Sequence, residues 1–377
     1  MTRTELPWQR KFILGLIPAA VLFGGIEITL RLCGVPEAKY LAERYEFPPK
    51  SKFGRGYVRD VAAFWRLRPG YNELWGSYKV AYSHEWMGKK VSEEEKLRRR
   101  DSFPDTKYYT SVRWEINENG HRGPVPQSDR NIVLFMGSSV TFGWGVKHRD
   151  CFVGLIGSKL AADRGAWDVV NAGVPNYSSY QSLATLRELF ERWQPKVVVF
   201  ECGINGGLPS SGARDSEFAM ADRGVVPSSV IRSSNTLLAL QQVFKGRRLS
   251  TAPAQLAGTK RFFRTRLYDP KKSRVTEAEF HENLAAVEEL AATTGARVFF
   301  LFPGLYNEYG KRRLRKSANL THPREIDMCA ALQGGAAAGE LLPLFVPYDE
   351  AHLSRSGHRL IADAIWSRFI TDGALGR

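Results

Sequence analysis

Four short segments of the chain hold side chains with chemistry to offer. Gly137-Ser138-Ser139-Val140-Thr141-Phe142-Gly143 presents two adjacent hydroxyls. Asn171-Ala172-Gly173-Val174-Pro175-Asn176 and Gly203-Ile204-Asn205-Gly206 present amides. Asp349-Glu350-Ala351-His352 places an imidazole three residues after a carboxylate. A serine hydroxyl is a poor nucleophile until a neighbouring imidazole takes its proton. A carboxylate can hold that imidazole and stabilise its charged form. Taken singly, each segment has a plainer reading. A serine after a strand is commonly an N-cap, an asparagine beside glycine is a turn residue, and Asp-x-x-His can start a helix or form half a metal site.

What raises their weight is position. From Asn131 onward, short apolar runs alternate with amphipathic stretches. The apolar runs Ile132–Met136, Asp168–Asn171, Lys196–Glu201 and Arg297–Phe302 read as strands, with Leu344–Val346 as a short fifth. Phe152–Ala162, Ser179–Trp193, Glu277–Thr294 and His358–Ile370 read as helices. Continuous apolar strands separated by helices indicate a parallel sheet covered on both faces. In such sheets ligands bind beyond the carboxyl ends of the strands. The first three segments each follow their own strand, and the fourth lies near the carboxyl end of the chain.

In this arrangement the chain resembles the SGNH (GDSL-type) hydrolase superfamily, from about Arg130 to Ile370. The preceding Ile116-Asn117-Glu118-Asn119-Gly120-His121-Arg122-Gly123 is similar to the lead-in of membrane-anchored bacterial members. The resemblance implies an α/β fold: a flavodoxin-like three-layer sandwich with a parallel sheet of about five strands. It implies Ser139 as nucleophile, His352 as base and Asp349 as the carboxylate that orients it. The backbone N–H groups of Ser139 and Asn176 and the side-chain amide of Asn205 would form the oxyanion hole. No metal or cofactor is implied. Three positions depart from the family pattern: Ser138 stands for an aspartate, Asn176 for a glycine and Gly206 for an aspartate. None is a triad member. The α/β-hydrolase elbow, G-x-S-x-G, is disfavoured because Thr141 occupies its last position.

Ser138 is a rival nucleophile, although one register step would turn it away. His358, in Ser356-Gly357-His358, is a rival base, although it belongs to the first turn of the last helix. Cys202 reads as packing at a strand end. Trp144, between Gly143 and Gly145, reads equally as a pocket wall or as core. The other histidines, at 84, 121, 148, 281 and 322, show no metal-ligand spacing.

The rest of the chain sets the context. There are 377 residues, 43% of them hydrophobic and 25% charged, so a disordered or fibrous protein is excluded. Four cysteines, at 33, 151, 202 and 329, are too few for a disulfide-built scaffold. Lys and Arg number 54 against 39 Asp and Glu, a net charge of +15. The cations cluster at 96–100, 245–248, 260–266 and 311–316. No helix-turn-helix, zinc-finger or RNP-type signature accompanies them, so nucleic acid is not an expected partner.

Phe12 to Leu30 is an apolar run with the single charge Glu27, preceded by Arg3, Arg10 and Lys11. Its length suits a bilayer core of ~30 Å, and no cleavage site follows. The expectation is a tail at 1–11 inside the cell and a transmembrane signal anchor at 12–30. An accessory segment at 31–127 and a catalytic domain at 128–377 would follow in the periplasm or outside. Residues 207–273 interrupt the alternation and read as a cap or substrate-shaping insertion, being too long for a structureless loop. The function expected is a serine esterase of the cell envelope, removing acetyl or another acyl group from a carbohydrate or small ester. An O-acyltransferase with the same triad and a catalytically silent carbohydrate-binding protein are the alternatives. Natural substrate and oligomeric state are not encoded legibly.

Overall fold

The structure is a computed structural model. It describes residues 8–32, 56–60, 62–74, 85–86, 89–90, 108, 111–127, 129–207, 209–210, 214–216, 236–237, 269–307, 313–316, 322–336, 341–346 and 352–376. Most of the expected insertion at 207–273 lies outside these residues, as does Asp349.

Helix α1 (Trp8–Leu32) covers the N-terminal apolar run, with Pro18 inside it. Among the described residues no helix is long and apolar enough to cross a membrane. The transmembrane span expected over residues 12–30 is not found among the described residues.

The accessory region contributes a hairpin, β1 (Tyr57–Asp60) with β2 (Phe64–Leu67). The segment Trp114–Gly120 makes one isolated bridge, at Ile116. Ile116 pairs with Arg122 across a turn in which Asn117 Oδ1 accepts the N–H groups of Asn119 and His121.

Behind it stands a parallel sheet of β3 (Asn131–Gly137), β4 (Trp167–Gly173), β5 (Val197–Glu201) and β6 (Arg297–Phe302). A hairpin, β7 (Gly304–Asn307) and β8 (Arg313–Lys316), follows β6. The fifth strand is β9 (Glu325–Asp327), and the order is β9-β6-β5-β3-β4. This corrects the expected fifth strand at Leu344–Val346. Leu342–Leu344 is a 3-10 turn, and Phe345 bridges antiparallel to Leu353. This edge strand carries a single apolar residue, Ile326, which is buried between half-buried Glu325 and exposed Asp327.

Alternation along the strands builds two cores. Val133, Phe135, Val199, Phe299 and Leu301 face helices α2 (Ser139–Phe142) and α3 (Phe152–Asp163), together with the C-terminal helix. Leu134, Met136, Val198, Phe200 and Phe300 face α4 (Ser179–Trp193) and α5 (Glu277–Ala292). After α6 (Met328–Gly335), α7 (Arg355–Thr371) closes the first layer through Ile361, Ile365 and Phe369. Trp65 and Trp114 join that same layer, so the accessory region packs directly on the sheet domain.

Candidate active site

Strand β3 delivers Ser139 into the first turn of α2. Ser138 is the N-cap, its hydroxyl accepting the Val140 N–H. The turn ends at Gly143, whose φ of 78° is left-handed and whose N–H returns to the carbonyls of Ser139 and Val140. Gly173 at the end of β4 lets α2 sit close, since a Cβ there would lie 2.3 Å from the Phe142 backbone nitrogen.

His352 comes from the far end of the chain. Its carbonyl accepts the Val346 N–H at 2.8 Å, and the next residue, Leu353, bridges to Phe345. These ties fix the backbone just before Ser354 caps α7. The ring nitrogen Nε2 lies 2.7 Å from Ser139 Oγ. The Trp144 ring sits 5.7 Å from the imidazole, centroid to centroid, so it walls the histidine rather than only filling the core.

The two rival residues are both buried. His358 is buried, 1% exposed, and its Nδ1 accepts the Phe152 N–H at 3.2 Å. Burial first, then the nearby Arg122 charge, pulls its pKa down to about 3. It is a neutral structural residue between α3 and α7. Ser138 is buried too, and both its N–H and its hydroxyl donate to Glu201 Oε2, at 2.6 and 2.8 Å.

Asn176 lies in the turn after β4 with φ of 68°, the left-handed region that asparagine tolerates better than most residues. Asn205 is buried in a short 3-10 turn after β5. Its Nδ2 donates to the Tyr177 carbonyl at 3.0 Å, which ties the loop after β5 to the loop after β4. The expected residues Ser139, Asn176 and Asn205 thus follow the carboxyl ends of β3, β4 and β5 in turn, neighbouring strands with β3 in the middle. His352 meets the middle one.

Sequence reasoning passed over Glu201, the last residue of β5. It is buried, and Thr141 Oγ1 also donates to its Oε2, at 3.2 Å. Burial pushes its carboxyl upward, while the bonds from Ser138 and Thr141 pull it back. A Cβ at Gly137 would lie 2.5 Å from that same oxygen, so the glycine leaves room for the carboxylate. The available signal was a carboxylate ending a wholly apolar strand. Cys202, next in line, is buried packing as expected, and burial raises its thiol pKa.

A profile of the GDSL-like lipase/acylhydrolase family matches residues 135–360. No curated protein matches the chain. Among solved structures, the chain is similar to the psychrotrophic esterase EstA from Pseudoalteromonas sp. at 14% identity and a TM-score of 0.36. That match covers 64% of this chain and 97% of the other. An acetyl xylan esterase, AlAXEase, matches at 15% identity and a TM-score of 0.39, covering 63% and 98%. A GDSL-like lipase from Bacteroides thetaiotaomicron matches at 15% identity and a TM-score of 0.35, covering 66% and 91%.

Proposed function

Because the chain belongs to the GDSL-like lipase/acylhydrolase family and is an ester-bond hydrolase, we propose that it removes an acyl group, in the first instance acetyl, from a carbohydrate or small ester through an acyl-Ser139 intermediate. The observation that carries this reading is the 2.7 Å contact between His352 Nε2 and Ser139 Oγ, a distance at which a proton passes directly.

In the first half-reaction, Ser139 Oγ bonds to the ester carbon while its proton moves to His352 Nε2. The carbonyl π pair becomes an oxyanion. Donors already aimed at that oxygen need not reorganise as the charge forms. The Ser139 N–H, the Asn176 N–H and the Asn205 amide take that role in this reading. Collapse of the intermediate breaks the bond to the leaving oxygen, which receives the proton from His352. Water repeats the sequence in the second half-reaction, releasing the acid and restoring the serine. Asp349, outside the described residues, is the carboxylate assigned in this reading to orient the imidazole.

The basic residues Arg3, Arg10 and Lys11 ahead of the apolar run 12–30 support a place at the cell envelope, with the catalytic domain outside the cytoplasm.

The test is acetate release from p-nitrophenyl acetate and from an acetylated oligosaccharide, by wild type and Ser139→Ala. Release by the wild type, with a loss of about 10³-fold or more in the variant, supports the reading. Acetyl transfer to a sugar acceptor without acetate release would replace hydrolysis by acyl transfer. Equal activity in both proteins would remove Ser139 from the reaction.

A further inference from the structure

The two ends of the 207–273 insertion meet against the loop that carries Asn176. Pro209–Ser210 and Asp269–Ser273 pair as short antiparallel strands. Beside them the Asp215 N–H donates to the Arg274 carbonyl at 2.9 Å, and the Val275 N–H to the Gly206 carbonyl at 3.1 Å. Between these contacts lies a buried ion pair. Arg274 is 3% exposed and Asp215 fully buried, with Arg274 Nη2 3.0 Å from Asp215 Oδ2.

The pair has a directed geometry. Arg274 Nη1 donates to the Asn176 carbonyl at 2.8 Å, and Nη2 donates also to Gln181 Oε1. The Ser178 hydroxyl donates to Asp215 Oδ2 at 2.5 Å. Ser178 is the N-cap of α4 and Gln181 completes its capping box. The Gln181 amide nitrogen donates in turn to the Ala63 carbonyl at 2.7 Å. One guanidinium fork therefore joins the insertion base, the start of α4 and the peptide that follows Asn176.

That peptide is the one in need of a tie. Asn176 holds φ of 68° without being glycine, a conformation that costs about 1–2 kcal/mol for residues with a Cβ. A charge-assisted bond to its carbonyl fixes the plane on one side, and Asn205 fixes the next carbonyl along. Taking two charges out of water is expensive, and a tie made only for stability could be apolar.

We propose that Arg274, itself held by Asp215, is a positioning residue for the oxyanion hole: by gripping the Asn176 carbonyl it anchors the peptide after Asn176 and so holds the Asn176 Cα, the pivot from which the preceding peptide's Asn176 N–H is aimed at the charge that forms on the ester oxygen. This inference rests on the acyl-serine reading given above.

The experiment compares wild type, Ser139→Ala and Arg274→Lys on p-nitrophenyl acetate and on its thionoester, in which sulfur replaces the carbonyl oxygen. Turnover is normalised to the folded fraction measured by circular dichroism. Lysine keeps a cation beside Asp215 but lacks the fork. In Arg274→Lys, kcat falls about tenfold or more, KM stays near the wild-type value, and the preference for the oxygen ester over the thionoester shrinks. A folded Arg274→Lys with wild-type kcat, or with a change confined to KM, overturns the proposal. Arg274→Ala with added guanidinium ion serves where lysine is not tolerated: recovery of kcat supports the role, and recovery of the fold without kcat overturns it. A wild type as inactive as Ser139→Ala would sink the acyl-serine reading and this inference together. An active wild type with an unaffected Arg274→Lys sinks this inference alone.

Discussion

Glu201 Oε2 takes hydrogen bonds from both the backbone N–H and the hydroxyl of Ser138, at 2.6 and 2.8 Å. The residue before Ser139, the proposed nucleophile, is thereby held from below by the end of the neighbouring strand. Where the family pattern has an aspartate at this position, the chain has serine and brings the carboxylate in from β5.

Replacing Glu201 by alanine leaves the Ser138 N–H and two hydroxyls buried without their acceptor. Each such group costs about 1–3 kcal/mol, so Glu201→Ala is expected to lose ~3 kcal/mol or more of stability. Glu201→Gln keeps one acceptor oxygen and is expected to lose about half as much. Urea denaturation measures both. Because Ser139 is the next residue, kcat should fall in the same order, alanine below glutamine. An alanine variant as stable and active as the wild type would show that the carboxylate does not position the turn.

A second expectation separates the two histidines near the carboxyl end. His352 faces Ser139 Oγ, whereas His358 accepts the Phe152 N–H inside the protein. His352→Ala should lose about 10²–10⁴-fold in kcat with little change in melting temperature. His358→Ala should do the reverse, losing about 1–3 kcal/mol while each folded molecule turns over almost normally. Activity towards p-nitrophenyl acetate and thermal melts, read together, distinguish the two. A dead, fully stable His358→Ala would exchange their roles.

These contrasts show where the sequence was legible. The inner strands β3, β5 and β6 are buried on both faces, so their residues form unbroken apolar runs that stand out. The edge strand Glu325–Asp327 needs only Ile326 inside and leaves no such run. The apolar Leu344–Val346 was mistaken for a strand because its burial serves another end: its last N–H pins the His352 carbonyl. Ser139 and His352, whose side chains the structure brings to 2.7 Å, could be singled out in the sequence because each sits in a short motif. Glu201 and Arg274 carry no motif. Their partners lie 63 and 98 residues away, and in the linear chain one resembles a strand end and the other a loop cation.

Arg122 supplies a third test. Its guanidinium is buried and donates to the carbonyls of Phe142, Gly143 and Val146, each at 2.6 Å, and to that of Arg113 at 3.2 Å. It also lies 4.5 Å above the Phe142 ring. It thus closes the loop in which Trp144 stands against His352. Hydrogen bonds to a charged group contribute about 1.5–3 kcal/mol each, partly offset by the cost of burying the charge. Arg122→Met should therefore lose ~3 kcal/mol or more in urea denaturation. Arg122→Lys should recover only part of this, because one ammonium cannot span the same set of carbonyls. A methionine variant of unchanged stability would mean the loop holds itself.

The last expectation concerns pH. His121, His148 and His358 are all buried, and burial, first of all, lowers their pKa values to about 4, about 3 and about 3. Arginine charges add to the effect: Arg192 at His121, and Arg122 at the other two. In the unfolded chain each imidazole titrates near ~6.5. Below that value the unfolded state binds protons that the folded state refuses, so stability drains towards the unfolded side as pH falls. Above ~6.5 both states are neutral and nothing is lost. The slope is at most about 1.4 kcal/mol per pH unit for each histidine, and the loss runs from ~6.5 down to the folded values. The urea midpoint should hence drop steeply between pH 6.5 and pH 4. His358→Asn, whatever its stability at pH 7, should show a shallower descent by about one proton. A midpoint independent of pH across that window would mean that these rings are charged inside the folded protein.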